Sequence, residues 1–457
     1  MAKSRLEREY EKNRGKRAKK ASSETIRVDT INDIDLSRLA DKQNDIYEEE
    51  DDGINPVVGT SKVETSKRKE TRSRSNDFDS KMKRMQEKKQ ERTKYTAGEK
   101  VKMVFSFLFK LGVVGIIGVL VLLYSPWPNF REWLITTAMT TMHHQYFATW
   151  FYDMDVVYTV LDKNRTETRD DITDSSLIDT SGKTQVTEYA DEYERQVLER
   201  DPKNNDYKII PIKEENFSGY LVAVYEPKRI KAAVTSQMGV TGEYVTKMAA
   251  DHDALIAING GGFVDTAGYN GNGETPMGIS VCDNEVIGPH QSNSWAGLIG
   301  FDDNDVLYCG RMTIDQVRNS NIRDALTFGP FLLINGEPSD IKGDGGWGTA
   351  PRTVIGQRAD GVVLFMVVDG RKATQIGATI RDELEIMQRY GAVNAANLDG
   401  GTSSVLVIGE TIVNDPIDSA FAHKTRPIAS CFYVEKDESD DSDHKIVQAK
   451  LDKDSKK

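Results

Sequence analysis

Cysteine is scarce in this 457-residue chain, which has only three. An odd number of cysteines cannot form a fully paired disulfide framework. The sequence also lacks the Cys-x-x-Cys spacing of a zinc site and the Asp-x-Asp-x-Asp-Gly loop of a calcium site. Cys282, Cys309 and Cys431 lie in apolar, strand-like stretches, which predicts buried thiols that pack as small hydrophobic side chains. We predict neither a bound metal nor a cofactor.

Apolar and aromatic residues are rare in residues 1–80, where basic and acidic blocks alternate. Such a segment buries too little apolar area to offset its ordering entropy, so we predict disorder. Residues 1–102 hold 27 Lys and Arg against 21 Asp and Glu, whereas the remainder holds 33 against 51. The basic block could bind nucleic acid, but a solvated tail beside an anionic membrane is favoured. We therefore predict no nucleic-acid partner.

The sequence has one long hydrophobic run, from Met103 to Tyr124, interrupted by Lys110. Its length suits the roughly 20 residues that cross a bilayer, so we predict a transmembrane helix over 103–125. Basic residues precede the run, which makes 1–102 a cytoplasmic tail and the rest extracytoplasmic in a single-pass cell-membrane protein. A buried core helix does not explain this basic flank. A cleavable signal peptide does not fit a run that some hundred residues precede.

Beyond the hydrophobic run the pattern changes twice. Residues 126–206 predict an extracytoplasmic segment with an amphipathic helix over 130–152, followed by a charged linker. From 207 to 435, short apolar runs alternate with turn residues and two helix-like segments, which predicts an α+β domain with a mixed or antiparallel sheet and flanking helices. The charged segment 436–457 predicts a second disordered tail.

The first candidate site is a glycine-rich sequence after a predicted strand, Asn259-Gly260-Gly261-Gly262-Phe263. A nucleotide-binding loop would lead directly into a helix, whereas another Gly- and Asn-rich loop follows here. Two interpretations stay open. The glycines form a turn without a ligand, or they form a backbone cradle in which the Asn259 amide donates to a substrate.

Three further sequences combine charge with glycine or hydroxyl groups. A nest of N–H groups and hydroxyls beside a carboxylate, as in Asp399-Gly400-Gly401-Thr402-Ser403, suits an anionic or sugar ligand, although a tight hairpin uses the same residues. Asp369-Gly370-Arg371 follows an apolar run and is also a frequent turn sequence. Arg352 follows a proline, where many arginines are surface residues.

Taken in order, five short motifs resemble the phosphodiester glycosidase family: Ala257-Ile258-Asn259-Gly260-Gly261, Gly329 to Gly336, Pro351-Arg352-Thr353-Val354-Ile355-Gly356, Val367-Val368-Asp369-Gly370-Arg371 and Asn397-Leu398-Asp399-Gly400-Gly401. The resemblance covers about Tyr207 to Val434 and departs at Thr402, where a glycine or small residue is expected. It implies hydrolysis of a sugar-1-phosphodiester to a sugar and a phosphomonoester. The anchor and tail resemble bacterial surface members of the family, linked to exopolysaccharide.

The implied reaction suggests roles for individual residues. Arg352 and Arg371 would clamp the phosphate, because a guanidinium binds two phosphate oxygens at once. Asp399, or in second place Asp369, would act as nucleophile or as base for water at the sugar carbon. The remaining candidates would hold sugar hydroxyls or phosphate oxygens: Asn259, Gly260, Gly261, Thr353, Gly400, Gly401, Thr402 and Ser403.

Two side chains and two other functions stay open. His290 is a proton shuttle or an exposed loop residue, and Trp347 stacks on a sugar or caps a hydrophobic edge. A non-catalytic polysaccharide-binding protein would keep the site as a lectin. A scaffold for polysaccharide export would work through the cytoplasmic tail and the helix at 130–152. The sequence does not choose between retention and inversion, or between oligomeric states.

Overall fold

The computed structural model describes residues 80–86, 88, 96–124, 128–141, 144–182, 188–201, 204–266, 271–288 and 297–437. Residues 98–457 form one compact unit. The segment 1–79, nearly all of the predicted C-terminal tail, and His290 lie outside the described residues. The two predictions of disorder and the proton-shuttle hypothesis for His290 therefore stay predictions.

Helix α1, Ala97–Tyr124, contains the hydrophobic run and begins before the predicted span. Apolar side chains cover it on all sides and are largely exposed, as expected of a helix whose partner is not protein. It is long and apolar enough to cross a membrane, and among the described residues no other helix is.

The predicted helix over 130–152 is wrong, because the structure has separate helices α2, Pro128–Thr140, and α3, Tyr146–Thr149. Thr141 marks the break, since its hydroxyl donates to the carbonyl of Ala138 at 2.8 Å and competes with the helical pattern. Helix α4, Met154–Lys163, packs against α2 and α3 around a shared apolar cluster. The segment is thus a small bundle rather than one rod.

The remaining helices are short, and the strands are numerous. The helices are α5 Glu192–Leu198, α6 Val245–Asp251, α7 Ile314–Arg318 and α8 Ile380–Arg389. The strands are β1 Thr166–Glu167, β2 Tyr207–Lys213, β3 Ser218–Val224, β4 Ile230–Val234, β5 Ala254–Asn259, β6 Phe263–Val264, β7 Thr275–Pro276, β8 Ser280–Cys282, β9 Glu285–Ile287, β10 Gly297–Asp302, β11 Leu307–Gly310, β12 Ile322–Phe328, β13 Phe331–Ile334, β14 Glu337–Pro338, β15 Asp340–Ile341, β16 Arg352–Arg358, β17 Val363–Val368, β18 Ala392–Asn397, β19 Leu406–Ile408, β20 Thr411–Ile412 and β21 Ser430–Glu435.

Three larger sheets build the domain. A seven-stranded sheet has the order β14-β13-β18-β16-β17-β3-β2, and two five-stranded sheets have the orders β20-β19-β5-β21-β4 and β11-β10-β12-β8-β9. Every described strand pair is antiparallel (as for β16 with β17 and with β18), so the predicted α+β class is confirmed in its antiparallel form.

Both faces of the seven-stranded sheet are covered, which explains the continuous apolar runs in its sequence. Along β17, Phe365 belongs to the central core, which includes Phe301 and Phe432 from the other two sheets. Its neighbour Met366 points to the opposite face and packs with Leu384 of helix α8. Alternate side chains of a strand point to opposite faces, so both sets are apolar here.

Candidate functional site

Three strand ends meet at one edge of the seven-stranded sheet. Arg352, at the start of β16, pairs with Val368 at the end of β17, and Val354 pairs with Asn397 at the end of β18. An antiparallel neighbour ends where its partner begins. The segments that carry Arg352, Arg371 and Asp399 therefore leave the sheet at the same edge.

Asp399 is held by three donors. Its Oδ1 accepts the N–H of Gly400 at 3.0 Å, and its Oδ2 accepts the Ser403 hydroxyl at 2.5 Å. Arg426 donates to Oδ2 at 3.2 Å and through Nε to Ser403 Oγ at 2.9 Å. All of these partners donate, an arrangement that suits an ionised carboxylate in a fixed orientation.

Asn259 and Thr353 lie directly beneath Asp399 rather than in a cavity. The Asn259 Nδ2 donates to the backbone carbonyl of Asp399 at 2.6 Å. Its Oδ1 accepts the Thr353 hydroxyl at 2.7 Å and the Val405 N–H at 3.1 Å. Because Asn259 and Thr353 are fully buried, they can position Asp399 but their amide and hydroxyl groups are already used inside the protein.

The glycines after Asn259 allow two sheets to approach closely. A Cβ on Gly260 would lie 2.4 Å from Cδ1 of Leu326, and one on Gly261 would lie 2.6 Å from the carbonyl oxygen of Thr327. Both distances are too short for an ordinary contact, so a side chain would displace the neighbouring strand. The glycines thus serve backbone packing at these positions.

Arg352 is buried beside the edge of the sheet. Its Nε donates to the carbonyl of Ala378 at 3.1 Å, and its Nη2 donates to the carbonyls of Trp347 and Gly348 at 2.8 and 2.7 Å. Nη1 makes no hydrogen bond with any described residue. Since a Cβ on Gly400 would lie 3.8 Å from it, Nη1 faces the loop after Asp399.

Glu383, on helix α8, lies under Arg352, with Oε1 3.3 Å from Nε. Both carboxylate oxygens are buried and have no hydrogen-bond partner among the described residues. Burial raises the pKa of Glu383 to about 8, and Arg352 offsets only part of this effect. Burial also lowers the pKa of Arg352, which the Glu383 carboxylate opposes. The pair anchors Arg352 without occupying its Nη1.

Arg371 reaches the same place from the loop after β17. Its backbone is in the left-handed region, with φ of 62°. Its Nη1 donates to the Thr402 hydroxyl at 2.8 Å and to the carbonyl of Ile417 at 2.7 Å. Burial, and next the nearby Arg426, lower the pKa of Arg371 to about 10. A buried cation that is repelled by a second cation favours a bound anion.

Arg426 was not predicted from the sequence. It stands in the loop before β21, within Lys424-Thr425-Arg426-Pro427, a sequence without a glycine-rich or strand-end signal. In the structure it binds Asp399 and Ser403, and its guanidinium lies 4.9 Å from the centre of the Phe263 ring. Only its contacts identify it as part of the site.

Asp369 lies apart from these residues. Its Oδ1 accepts from Asn414 Nδ2 and from the Asp415 N–H, each at 3.0 Å, and Lys372 lies 3.6 Å from Oδ2. Burial raises its pKa. Asp369 lines neither of the cavities that Asp399 lines, so the structure brings only Asp399 to the arginines.

Two cavities meet at Asp399. We call the first the cationic cleft; it has a volume of about 170 Å³, and its lining includes Arg352, Arg371, Arg426, Gly400, Gly401 and Thr402. We call the second the aromatic cavity; it has a volume of about 400 Å³, and its lining includes Phe263, Phe328, Phe331 and Met277. Asp399, Trp347 and Thr140 line both.

This arrangement can hold a ligand with two chemically different parts. Three guanidinium groups can bind an anion such as phosphate in the cationic cleft. The aromatic faces of Trp347 and Phe328, which meet edge to face with centroids 5.8 Å apart, can bind the apolar face of a sugar. Asp399 then stands at the junction, where the two parts are joined. Among the described residues, no group of His, Cys, Asp and Glu could hold a metal ion.

Part of the chain matches a known protein family. Residues 252–435 match the family model described as phosphodiester glycosidase. The chain is 28% identical over 194 residues to the SPbeta prophage-derived protein YomE of Bacillus subtilis, a match that covers 40% of this chain and 29% of that relative's length. The chain thus spans less than a third of the curated relative that it matches.

The solved structures to which the chain is similar are more distant. The zebrafish N-acetylglucosamine-1-phosphodiester alpha-N-acetylglucosaminidase catalytic domain, auto-inhibited by its pro-peptide, has 19% identity and a TM-score of 0.42, covering 50% of this chain and 82% of that one. A hypothetical protein from Synechocystis has 14% identity and a TM-score of 0.34, covering 50% and 61%. The match to the family model carries the assignment: across residues 252–435 this chain has a domain of the phosphodiester glycosidase family.

Proposed function

We propose that this protein is a membrane-anchored glycosidase that hydrolyses a sugar-1-phosphodiester on a cell-surface polysaccharide or glycopolymer. Helix α1 is the anchor, the N-terminal tail is cytoplasmic, and the domain acts outside the cell. The observation that carries the proposal is the meeting of the cationic cleft and the aromatic cavity at a single carboxylate, Asp399.

The reaction follows from the chemistry of these groups. The sugar occupies the aromatic cavity and the phosphate lies against Arg352, Arg371 and Arg426. The second pKa of the leaving phosphomonoester is about 6, so the group is stable as an anion and departs without a strong general acid. The guanidinium groups stabilise the charge that develops on it as the C1–O bond breaks.

Asp399 stabilises the positive charge that develops at the sugar carbon, as the nucleophile or as the base that activates water. Gly400, Ser403 and Arg426 fix the direction of its carboxylate, and Asn259 fixes its backbone. Asp369 has a supporting role in this proposal, because it holds the loop that contains Asn414 and Asp415.

The test uses the full-length protein in lipid nanodiscs and a panel of methyl phosphodiesters of common sugar 1-phosphates. We expect release of free sugar and methyl phosphate from at least one of them, measured by NMR. Asp399→Asn should lower kcat by about 10³-fold or more, since it removes the reacting carboxylate. Asp303→Asn, at an exposed aspartate outside both cavities, is the matched control.

A non-catalytic polysaccharide-binding protein gives the opposite result. In that case the wild-type protein turns over no member of the panel, while it and Asp399→Asn retain equal affinity for a surface polysaccharide. Such a pair of results, obtained with folded protein, would rule out the glycosidase.

A further inference from the structure

A third cavity adjoins the cationic cleft and has a different character. Its volume is about 690 Å³, and it lies between the small bundle after helix α1 and the domain. We call it the apolar groove. Its apolar lining comes from both sides: Trp133, Leu134, Ala138, Tyr146 and Phe147 from the bundle, and Ala373, Ile376 and Phe421 from the domain.

The apolar groove is continuous with the cationic cleft. Arg371 lines both, as do Thr140, Thr141, His144, Ala350 and Ser419. A phosphate bound in the cationic cleft is therefore next to both the aromatic cavity and the apolar groove. A phosphodiester has two ester oxygens, so one substituent can enter each space.

The walls of the groove are firmly joined to both the domain and helix α1. The Thr136 hydroxyl donates to Asp344 Oδ2 at 2.6 Å, which docks α2 on the domain. The Tyr152 hydroxyl donates to the carbonyl of Leu123 at 2.8 Å, and the Tyr124 hydroxyl donates to that of Phe151 at 2.9 Å. The groove is thus built directly on the end of the hydrophobic helix.

Exposed aromatic side chains surround this region. Phe421 is 73% exposed on a backbone with φ of 62°, Phe147 is 45% exposed and Trp133 is 36% exposed. Trp150, outside the groove but on the same bundle, is 74% exposed. Tryptophan is enriched where a protein meets the membrane interface, and the exposed Trp133 and Trp150 both stand on the bundle that follows helix α1.

We propose that the substrate is a lipid-linked glycosyl phosphodiester, in which the second ester oxygen carries a hydrocarbon chain that occupies the apolar groove. Water adds to C1 of the sugar and the bond from C1 to the phosphate oxygen breaks. The products are the free saccharide, a lipid phosphomonoester and one proton. This substrate class rests on the proposed glycosidase activity and specifies what the phosphodiester joins.

The first test varies the hydrocarbon chain. The full-length protein in nanodiscs is given methyl, butyl, hexyl and octyl phosphodiesters of the sugar 1-phosphate preferred in the panel above. Each methylene that enters the groove should raise kcat/KM up to about fourfold, mostly through KM. Equal values across the series would overturn the lipid-linked substrate, while turnover of the methyl diester would leave the glycosidase intact.

A binding measurement keeps the inference testable without turnover. Octyl phosphate, a product analogue, should bind protein-containing nanodiscs at least tenfold more tightly than methyl phosphate after subtraction of empty nanodiscs. Equal corrected affinities would overturn the proposal.

Matched variants locate the effect. Ile376→Ser with Phe421→Ser should flatten the dependence of kcat/KM on chain length, because both side chains line the groove. Ile172→Ser is the control, since Ile172 is 80% exposed and lines none of these three cavities. Chemical cross-linking between copies of the chain tests another occupant of the groove. If the double variant abolishes cross-linking and leaves the chain-length dependence of kcat/KM unchanged, a second copy occupies the groove and the proposal is wrong.

Discussion

At the scale of residues, the site is an excess of buried positive charge around one carboxylate. Arg426 is paired with Asp399, and Arg352 lies 3.3 Å from Glu383, whereas Arg371 forms no ion pair with any described residue. Burial and the nearby Arg426 both disfavour the charged form of Arg371 and so lower its pKa. A bound phosphate would relieve this repulsion. Arg371 should therefore contribute strongly to substrate binding, although its side chain is largely buried.

Arg371→Lys tests this point, because it keeps the charge and removes the planar fork. We expect kcat/KM to fall by about 10²-fold, since one of the oriented donors to the phosphate is lost. The measurement is the rate of sugar release from the preferred methyl diester. Arg318→Lys, at an exposed arginine near Asp315, should leave kcat/KM unchanged. An unchanged rate in Arg371→Lys would remove Arg371 from the phosphate site.

At the scale of elements, helix α8 supports the edge of the sheet that carries Arg352. Thr379 caps the helix and forms a capping box with Asp382, which fixes where the first turn begins. Glu383, also in the first turn, lies under Arg352. Ile380 and Met387 on the same helix pack on the outer face of the seven-stranded sheet. The helix therefore joins core packing to the position of a site residue.

The raised pKa of Glu383 predicts how stability depends on pH. The folded pKa is about 8 against an ordinary 4.5, so between these values the folded state holds a proton that the unfolded state has lost. The free energy of unfolding should therefore fall as pH rises through this window, with a slope of at most about 1.4 kcal/mol per pH unit.

Thermal melting of the full-length protein in nanodiscs from pH 5 to 8.5 would measure this slope. Glu383→Gln, which mimics the protonated acid, should flatten the fall in Tm. Because burial also raises the pKa of Asp369, the variant should retain a fall of the same sign from that residue. A steeper loss of stability with pH in Glu383→Gln would contradict the assignment.

At the scale of the whole molecule, the small bundle after helix α1 completes the site. Thr140 of α2 lines all three cavities, although it lies far before the glycosidase domain in sequence. Gly348 allows this docking, because its Cβ would lie 2.4 Å from Cα of Thr137. The segment next to the proposed membrane anchor is thus part of the cleft rather than a spacer.

Gly348→Ala should separate α2 from the domain and lower kcat/KM at least about tenfold, while the domain core stays folded. Sugar release and proteolysis of the segment between α2 and α3 would report the two effects. Gly336→Ala is the control. Gly336 has φ of 80° and Gly348 has φ of 60°, so both substitutions strain the backbone, but no heavy atom lies within 4 Å of a Cβ added at Gly336. It should lose stability without loss of activity. Equal activity losses in both variants would show that strain alone is responsible.

The sequence by itself determined the hydrophobic helix and the α+β class. These features depend on local patterns, since apolar runs of different length and periodicity define helices and strands. The helix over 130–152 was mispredicted because its periodicity continues past the threonines that end α2.

Tertiary structure alone decided which residues contact Arg352 and Asp399. Arg426 reaches Asp399 from a loop before β21, and Glu383 reaches Arg352 from a different layer of the fold. Asn259, predicted as a possible substrate donor, instead holds the backbone of Asp399. Such contacts depend on how sheets, loops and the bundle after α1 pack together, and residues distant in sequence carry no local signal of that packing.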